Sequence, residues 1–225
     1  MFTPFLTALI YEISRFLSKH PNFFDAKKEE REKVLENLRI PTPFKHYLSE
    51  LGSATFMREF VEMVHLAGGS ENIKLAHNGF FKALVVFFTE TFSAKFDALS
   101  NAYYLAPMDQ RRQVVDQLIS GETQVAQALR DLLVSYTYQD IATEIHEFCR
   151  KVADAPYLLV QSPREVSPEL KKEIRKQLLD EFPGSFPIFQ INRNLIGGLR
   201  FFKNGISEDY SWLSRVLQYT SLMSA

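Results

Sequence analysis

Cysteine is almost missing: the 225 residues contain one, Cys149. No disulfide can form within the chain, which excludes a small secreted disulfide scaffold and makes a reducing compartment the simpler expectation. Long apolar runs are missing too. The longest, Ala83–Phe88, falls far short of the roughly 18–20 residues that cross a bilayer, so no direct membrane span is expected. The opening stretch MFTPFLTALIYEISRF lacks a basic segment and is interrupted by Glu12, which argues against a cleaved leader. Charge of one sign is not in excess. Lys+Arg number 26 against 27 Asp+Glu, and residues 156–225 carry 9 basic and 7 acidic side chains. Nothing at this level marks a nucleic-acid partner. Nor does the chain contain G-x-x-x-x-G-K-[ST], H-E-x-x-H or a paired C-x-x-C, and Gly197-Gly198 does not belong to a G-x-G-x-x-G that opens a helix. No cofactor, nucleotide or metal is therefore called for.

What is present is an ordinary supply of core-forming residues, with 46% hydrophobic and 24% charged. From Phe5 to about Ala153 apolar residues recur every three or four positions, while glycine and proline fall mainly between the periodic segments, the grammar of a helical bundle. Phe5, Leu9, Ile13 and Phe16 form one stripe. Asp25 is placed to cap AKKEEREKVLENL, and Pro41 and Pro43 end that helix. Short helices follow over 43–52 and 54–67, stopped by Gly68-Gly69. The segment from about Ile73 to Leu105 is apolar all round in its middle and reads as the central helix. Further helices follow Pro107, Gly121 and residue 138.

At Pro156 the pattern changes. YLLVQ (157–161) is strand-like. Ser167-Pro168-Glu169 supplies an N-cap, a first-turn proline and a first-turn acid for a helix whose stripe is Leu170, Ile174 and Leu178. FPIFQI (186–191) and IGGLRFF (196–202) read as strands joined through Asn192-Arg193-Asn194. Asn204-Gly205 then turns the chain into an amphipathic helix over Tyr210–Leu222. The fold class expected is mainly α: an N-terminal helical bundle, residues 1–153, followed by a small α+β module of order β-α-β-β-α, residues 156–225.

Catalytic constellations are few. His146 and Cys149 share a helix face beside Glu144, but nothing nearby supplies an oxyanion hole or an orienting third group, so Cys149 is read as a small core residue. His65 and His77 flank Gly68-Gly69 without a third ligand and are read as helix-end histidines. The phenylalanines at 80, 81, 87, 88, 92 and 96 are read as core. Lys171, Lys172, Arg175 and Lys176 share a helix with Glu169, Glu173, Asp180 and Glu181 and are read as a solvated face. Consecutive glycines at 197 and 198 weaken a strand, so they are expected only where a bulge, a bend or another backbone's close approach needs the missing side chain.

The stretch PYLLVQSPREVSPELKKEIRKQLLDEF…FPIFQINRNLIGGLRFFKNGISEDYSWLSRVLQY resembles the C-terminal part of the delta subunit of F-type ATP synthases, the oligomycin-sensitivity-conferring protein of mitochondria. Leu195, Ile196, Gly197 and Gly198 match that family's L-I-G-G signature. Asp209 and Ser211 match the D-x-S that opens its last helix. The likeness covers about the final third of the chain. It implies a non-enzymatic subunit of the peripheral stalk, on the cytoplasmic side of the membrane (matrix or stroma in an organelle). Its helical domain would grip the alpha subunits of the catalytic head, and its C-terminal domain would bind the b subunits. Phe5, Leu9, Ile13 and Phe16, with Leu213 and Leu217, are the candidate partner-binding residues. Two alternatives stay open: a stalk-like subunit of another rotary motor, such as the E subunit of V-type ATPases, and a helical ligand-binding protein or enzyme whose Phe-rich pocket lies around His65 and His77.

Overall fold

The computed structural model describes residues 1–69, 77–212 and 214–217, without the side chains of 152 and 153. Among them are eleven α-helices and four strands, so the protein is mainly helical with a small mixed sheet. None of these helices is long and apolar enough to cross a membrane. The chain divides into two compact units. Met1–Thr91 with Ala106–Tyr136 form the first, and Phe92–Leu105 with Thr137–Ala225 the second.

The first unit contains α1 (Thr3–Lys19), α2 (Lys28–Glu36), α3 (Thr42–Glu50), α4 (Ser53–Ala67) and α5 (Gly79–Val86). Its later part adds the helices that follow Pro107 and Gly121. Phe5, Leu9, Ile13 and Phe16 are buried as their spacing predicts. Phe5 stacks on Phe87 with ring centroids 5.2 Å apart, and Phe44 lies 5.0 Å from Phe80. Asp25 does not cap α2. It sits in a 3₁₀ turn, Phe23–Asp25, and α2 starts after Lys27 with no side-chain cap. Asn78 does cap α5: its Oδ1 accepts the N–H groups of Phe80 and Phe81 at 2.9 and 3.2 Å. Buried Glu59 completes this knot by accepting from the Tyr47 hydroxyl at 2.8 Å and from the Gly79 N–H at 3.0 Å. Burial first, and then the Glu59 carboxylate, push the Tyr47 hydroxyl pKa well above its ordinary value.

The central helix expected over about 73–105 is broken into pieces, and 73–76 lie outside the described residues. After α5 come a π-helical turn, Phe87–Phe92, then α6 (Ser93–Asp97) and α7 (Asn101–Leu105). Thr89 Oγ1 donates to the Val85 carbonyl at 2.8 Å inside this stretch, the back-bonding that disturbs a regular ladder. α8 (Met108–Leu118) begins after Pro107. α9 (Gln124–Ser135) is capped by Thr123, whose Oγ1 accepts from the Ala126 N–H at 3.1 Å. α1 packs on α4 and α9, α3 on α5, and α8 on α9.

The second unit joins α6 and α7 to α10 (Tyr138–Ala153), β1 (Leu158–Ser162), α11 (Pro168–Glu181), β2 (Ile188–Ile191), β3 (Arg200–Lys203) and β4 (Ile206–Asp209). Thr137 and Asp140 form a reciprocal capping box at the start of α10. The sheet order is β2-β1-β3-β4, with β1 parallel to β2 and antiparallel to β3. The two strand-like runs 186–191 and 196–202 therefore do not form a hairpin with each other. Both flank β1, because α11 carries the chain across the sheet between β1 and β2. The hairpin is β3–β4, turned by Asn204 at φ 49° and Gly205 at φ 85°, an Asn-Gly pairing favoured in two-residue turns. β4 was not expected from the sequence. The last helix is described only at Trp212 and 214–217.

Lys171 and Arg175 are not on a solvated face. Both are buried, while Lys172 and Lys176 are exposed. Arg175 forms a two-pronged pair with Asp97 of α6, Nε to Oδ2 at 2.8 Å and Nη2 to Oδ1 at 3.0 Å, and both side chains are only 4% exposed. Its Nη1 donates to the Pro187 carbonyl at 2.9 Å, and its guanidinium lies 3.9 Å from the Phe186 ring. Burial opposes the charge on Arg175, but Asp97 outweighs it and the pKa rises. Tyr138 joins by hydrogen bonds to both partners and stacks on Phe96 at 4.4 Å. Lys171 Nζ sits 4.6 Å from the Tyr138 ring, and burial lowers its pKa. This cluster ties α6 to α11 and β2. Removing one partner strands the other as a buried charge. Asp97→Ala and Arg175→Met are each expected to destabilise the protein by about 3–5 kcal/mol. The double variant Asp97→Ala/Arg175→Met should cost well under the sum, as read from urea midpoints of the four chains.

Candidate functional site

The residues that carry the family likeness converge in the second unit. At the end of β2 the Asn192 N–H donates to the Ser162 carbonyl at 2.7 Å, and Asn192 Oδ1 accepts the Asn194 N–H at 3.1 Å. This side-chain turn delivers Leu195 into the core and leaves Ile196 77% exposed. Gly197 and Gly198 then run antiparallel to residues 210–212. Tyr210 N–H donates to the Leu199 carbonyl at 2.9 Å, and Trp212 N–H donates to the Gly197 carbonyl at 3.1 Å.

Two requirements make position 198 a glycine. Its φ is +80°, and a Cβ there would lie 2.9 Å from Ser211 Cα and inside the van der Waals contact of the Tyr210 carbonyl oxygen. The pair therefore lies in a bend before β3 rather than within a strand, and close approach of another backbone is the reason for it. Gly197 leaves room for the Trp212 indole, whose Cδ1 would stand 3.0 Å from an added Cβ.

Asp209 and Ser211 form the other jaw of this clasp. Asp209 Oδ1 accepts the Ser211 N–H at 2.8 Å. Ser211, fully buried, accepts the Ser214 N–H on its Oγ at 3.3 Å, as an N-cap does. Asp209 Oδ2 accepts from Arg200 Nε at 3.1 Å and Nη2 at 2.6 Å. The Ser211 side-chain and backbone hydrogen bonds, followed by Arg200, hold the Asp209 carboxyl down at about 2. Arg200 was not singled out from the sequence, although a two-residue Asn204-Gly205 turn pairs Lys203 with Ile206 and so sets Arg200 opposite Asp209. Trp212 and Tyr210 were likewise missed. With Ile196, Ile206 and Val216 they are large apolar or aromatic side chains left exposed on the same unit.

The remaining sequence candidates fall elsewhere. Phe5, Leu9, Ile13 and Phe16 are taken up by the core of the first unit, so a partner reaching α1 meets Thr7, Tyr11 and Ser18 instead. Leu217 is exposed, and Leu213 lies outside the described residues. Cys149 and His146 are buried on α10. Burial pushes the Cys149 thiol up to about 12 and lowers the His146 pKa, the reverse of what an activated nucleophile requires. Glu144 is half-buried on the same helix. His65 and His77 are exposed, and among the described residues no group of three or more His, Cys, Asp or Glu side chains is placed to hold a metal ion. The phenylalanines at 80, 81, 87, 88, 92 and 96 are all buried. The arrangement at 195–212 thus offers a shaped, partly apolar surface backed by a fixed ion pair. No protein-family model matches the chain, and no curated protein matches it.

The two glycine turns separate backbone strain from crowding. Gly205, at positive φ in open space, should lose about 1 kcal/mol on change to Ala. Gly198→Ala adds the clash with residues 210–211 and should lose about 3 kcal/mol or more. Urea midpoints of the two variants make the comparison, and equal losses would remove the clasp from the account. For Asp209 the folded pKa lies below the unfolded value of about 4. Its contribution is therefore present above pH 4 and lost as the pH falls toward 2. The stability difference between the native chain and Asp209→Asn should shrink over that window; a difference constant with pH would show that the carboxylate charge plays no part.

Proposed function

We propose that the protein is a non-catalytic peripheral-stalk subunit of a rotary F-type ATP synthase, linking the catalytic head to the b-type stalk. In this reading the helices of the first unit meet the alpha-type subunits, and residues 156–225 of the second unit meet the b-type chains. The protein then works at the cytoplasmic face of the membrane, or in the matrix or stroma, as part of a membrane-bound assembly. One observation carries the reading: Leu195–Gly198 closes on Asp209–Trp212, so the two short motifs that carry the resemblance form one clasp. The order β1, α11, β2, L-I-G-G, β3, turn and D-x-S adds to it, with β4 running from the turn to the acid, Asp209, that ends it.

Chemistry and surface agree with work done through contacts. The perturbed groups of the second unit are spent on packing, with Arg175 paired to Asp97 and the Cys149 thiol raised by burial. Exposed Ile196, Trp212 and Val216 beside the clasp are the side-chain types that anchor protein interfaces.

The test is a gentle pull-down of the tagged protein from its native source. Alpha-type and b-type chains should co-purify, and the absence of both would overturn the proposal. The exposed pair Ile196→Ala/Trp212→Ala should weaken capture of the b-type chain about tenfold or more while leaving the circular dichroism spectrum unchanged.

A further inference from the structure

The first unit carries an open cavity of about 750 Å³ between the second half of α1, the end of α2 and the start of α9. Four cations line it: Arg15 and Lys19, one turn apart on α1, Lys33 on α2, and Arg39 just beyond it. Only two acids, Glu12 and Glu122, stand with them. In a chain whose net charge is −1, this is a local excess of positive charge. None of the four cationic side chains forms an ion pair or hydrogen bond among the described residues. Lys28, Arg112 and Arg130 of the same unit are engaged by Glu50, Asp131 and Asp116.

Cations gathered around one concave surface repel each other and focus a positive potential into it. A second, independent source of positive potential opens on the same space. Thr123 and Gln124, the cap and first residue of α9, line the cavity, and although Thr123 takes up the Ala126 N–H and Glu122 precedes the cap, the first turn of α9 itself contains no acid, so the positive end of the helix dipole faces this space. The floor is apolar, with Phe16 and Leu38 buried, and the Tyr11 ring is exposed within the same lining. The volume lies within the roughly 300–1,000 Å³ typical of small-molecule pockets.

We propose that this cavity binds a small soluble polyanion, a molecule with at least two phosphate or carboxylate groups joined to an apolar or aromatic portion. Arg15, Lys19, Lys33 and Arg39 engage the anionic groups, and Tyr11 takes the ring. The inference holds whether or not the protein is a stalk subunit.

Calorimetric titration of the full chain with inorganic tripolyphosphate and with ATP tests it. Both should bind saturably at one per chain and weaken as salt rises, with ATP the tighter. Arg15→Gln/Lys33→Gln should bind about tenfold more weakly or worse, whereas Lys172→Gln/Lys176→Gln, exposed on α11, should bind as the native chain does. Tyr11→Ala should weaken ATP and leave tripolyphosphate unchanged. All these side chains are exposed, and unchanged thermal unfolding excludes a folding defect. Absence of saturable binding, or equal losses in the two double variants, overturns the site. Equal affinity for ATP and tripolyphosphate overturns its aromatic half. Binding confined to vesicles that contain phosphatidylinositol 4,5-bisphosphate assigns the cavity to a membrane headgroup and overturns the soluble ligand.

Discussion

The pair between Asp97 and Arg175 is the constraint on which the second unit turns. A guanidinium and a carboxylate are both withdrawn from water, and neither is tolerable without the other. Their geometry fixes α6 against α11. Through the Pro187 carbonyl it also fixes the entry to β2, and through Tyr138 the first turn of α10. Lys171 and the rings of Phe96, Phe186 and Phe189 close over this centre, so a polar contact sets the position of apolar ones. Such a centre specifies one arrangement more sharply than aliphatic packing does, because a hydrogen-bonded fork accepts few alternatives.

This centre also explains where reading the sequence succeeds and where it stops. Helices whose signal is local were legible: the stripe of α1, the Ser167 cap of α11, and the glycine stop after α4. Strand-like runs were legible as runs, but their pairing was not, since Ile188 and Arg200 find the same partner strand only after α11 has crossed the sheet. Charge on a helix is usually solvated, so sequence alone assigns Lys171 and Arg175 to water, whereas Arg175 pairs with Asp97, 78 residues away in sequence, and Lys171 lies over the Tyr138 ring. The long aromatic helix was read as continuous because apolar periodicity does not register the π turn at Phe87–Phe92.

At the candidate site the balance differs. Leu195–Gly198, Asp209 and Ser211 stood out in the sequence, yet their joint role rests on backbone. The glycines are needed because the chain at 210–211 passes too close for a side chain, and a close approach between segments a dozen residues apart leaves only the glycine itself as a trace. Arg200 had a readable signal in the Asn-Gly turn, whereas Trp212 had none beyond its type. The mechanical role proposed for this surface suits its construction: a buried serine cap, a clamped bend and an ion-paired hairpin all resist shear without any group needing to change protonation.

The interleaving of the two units along the chain bears on how the molecule is made. Residues 92–105 leave the ribosome well before α11 does, and until α11 emerges the Asp97 carboxylate must remain hydrated while its neighbours Phe92 and Phe96 wait for their cover. The first unit meets a milder version of the same delay, since α1 has no α9 to pack on until residue 135 has been added. Neither body forms as its residues appear. Nascent chains of intermediate length therefore expose phenylalanine-rich surface until the later segments are added.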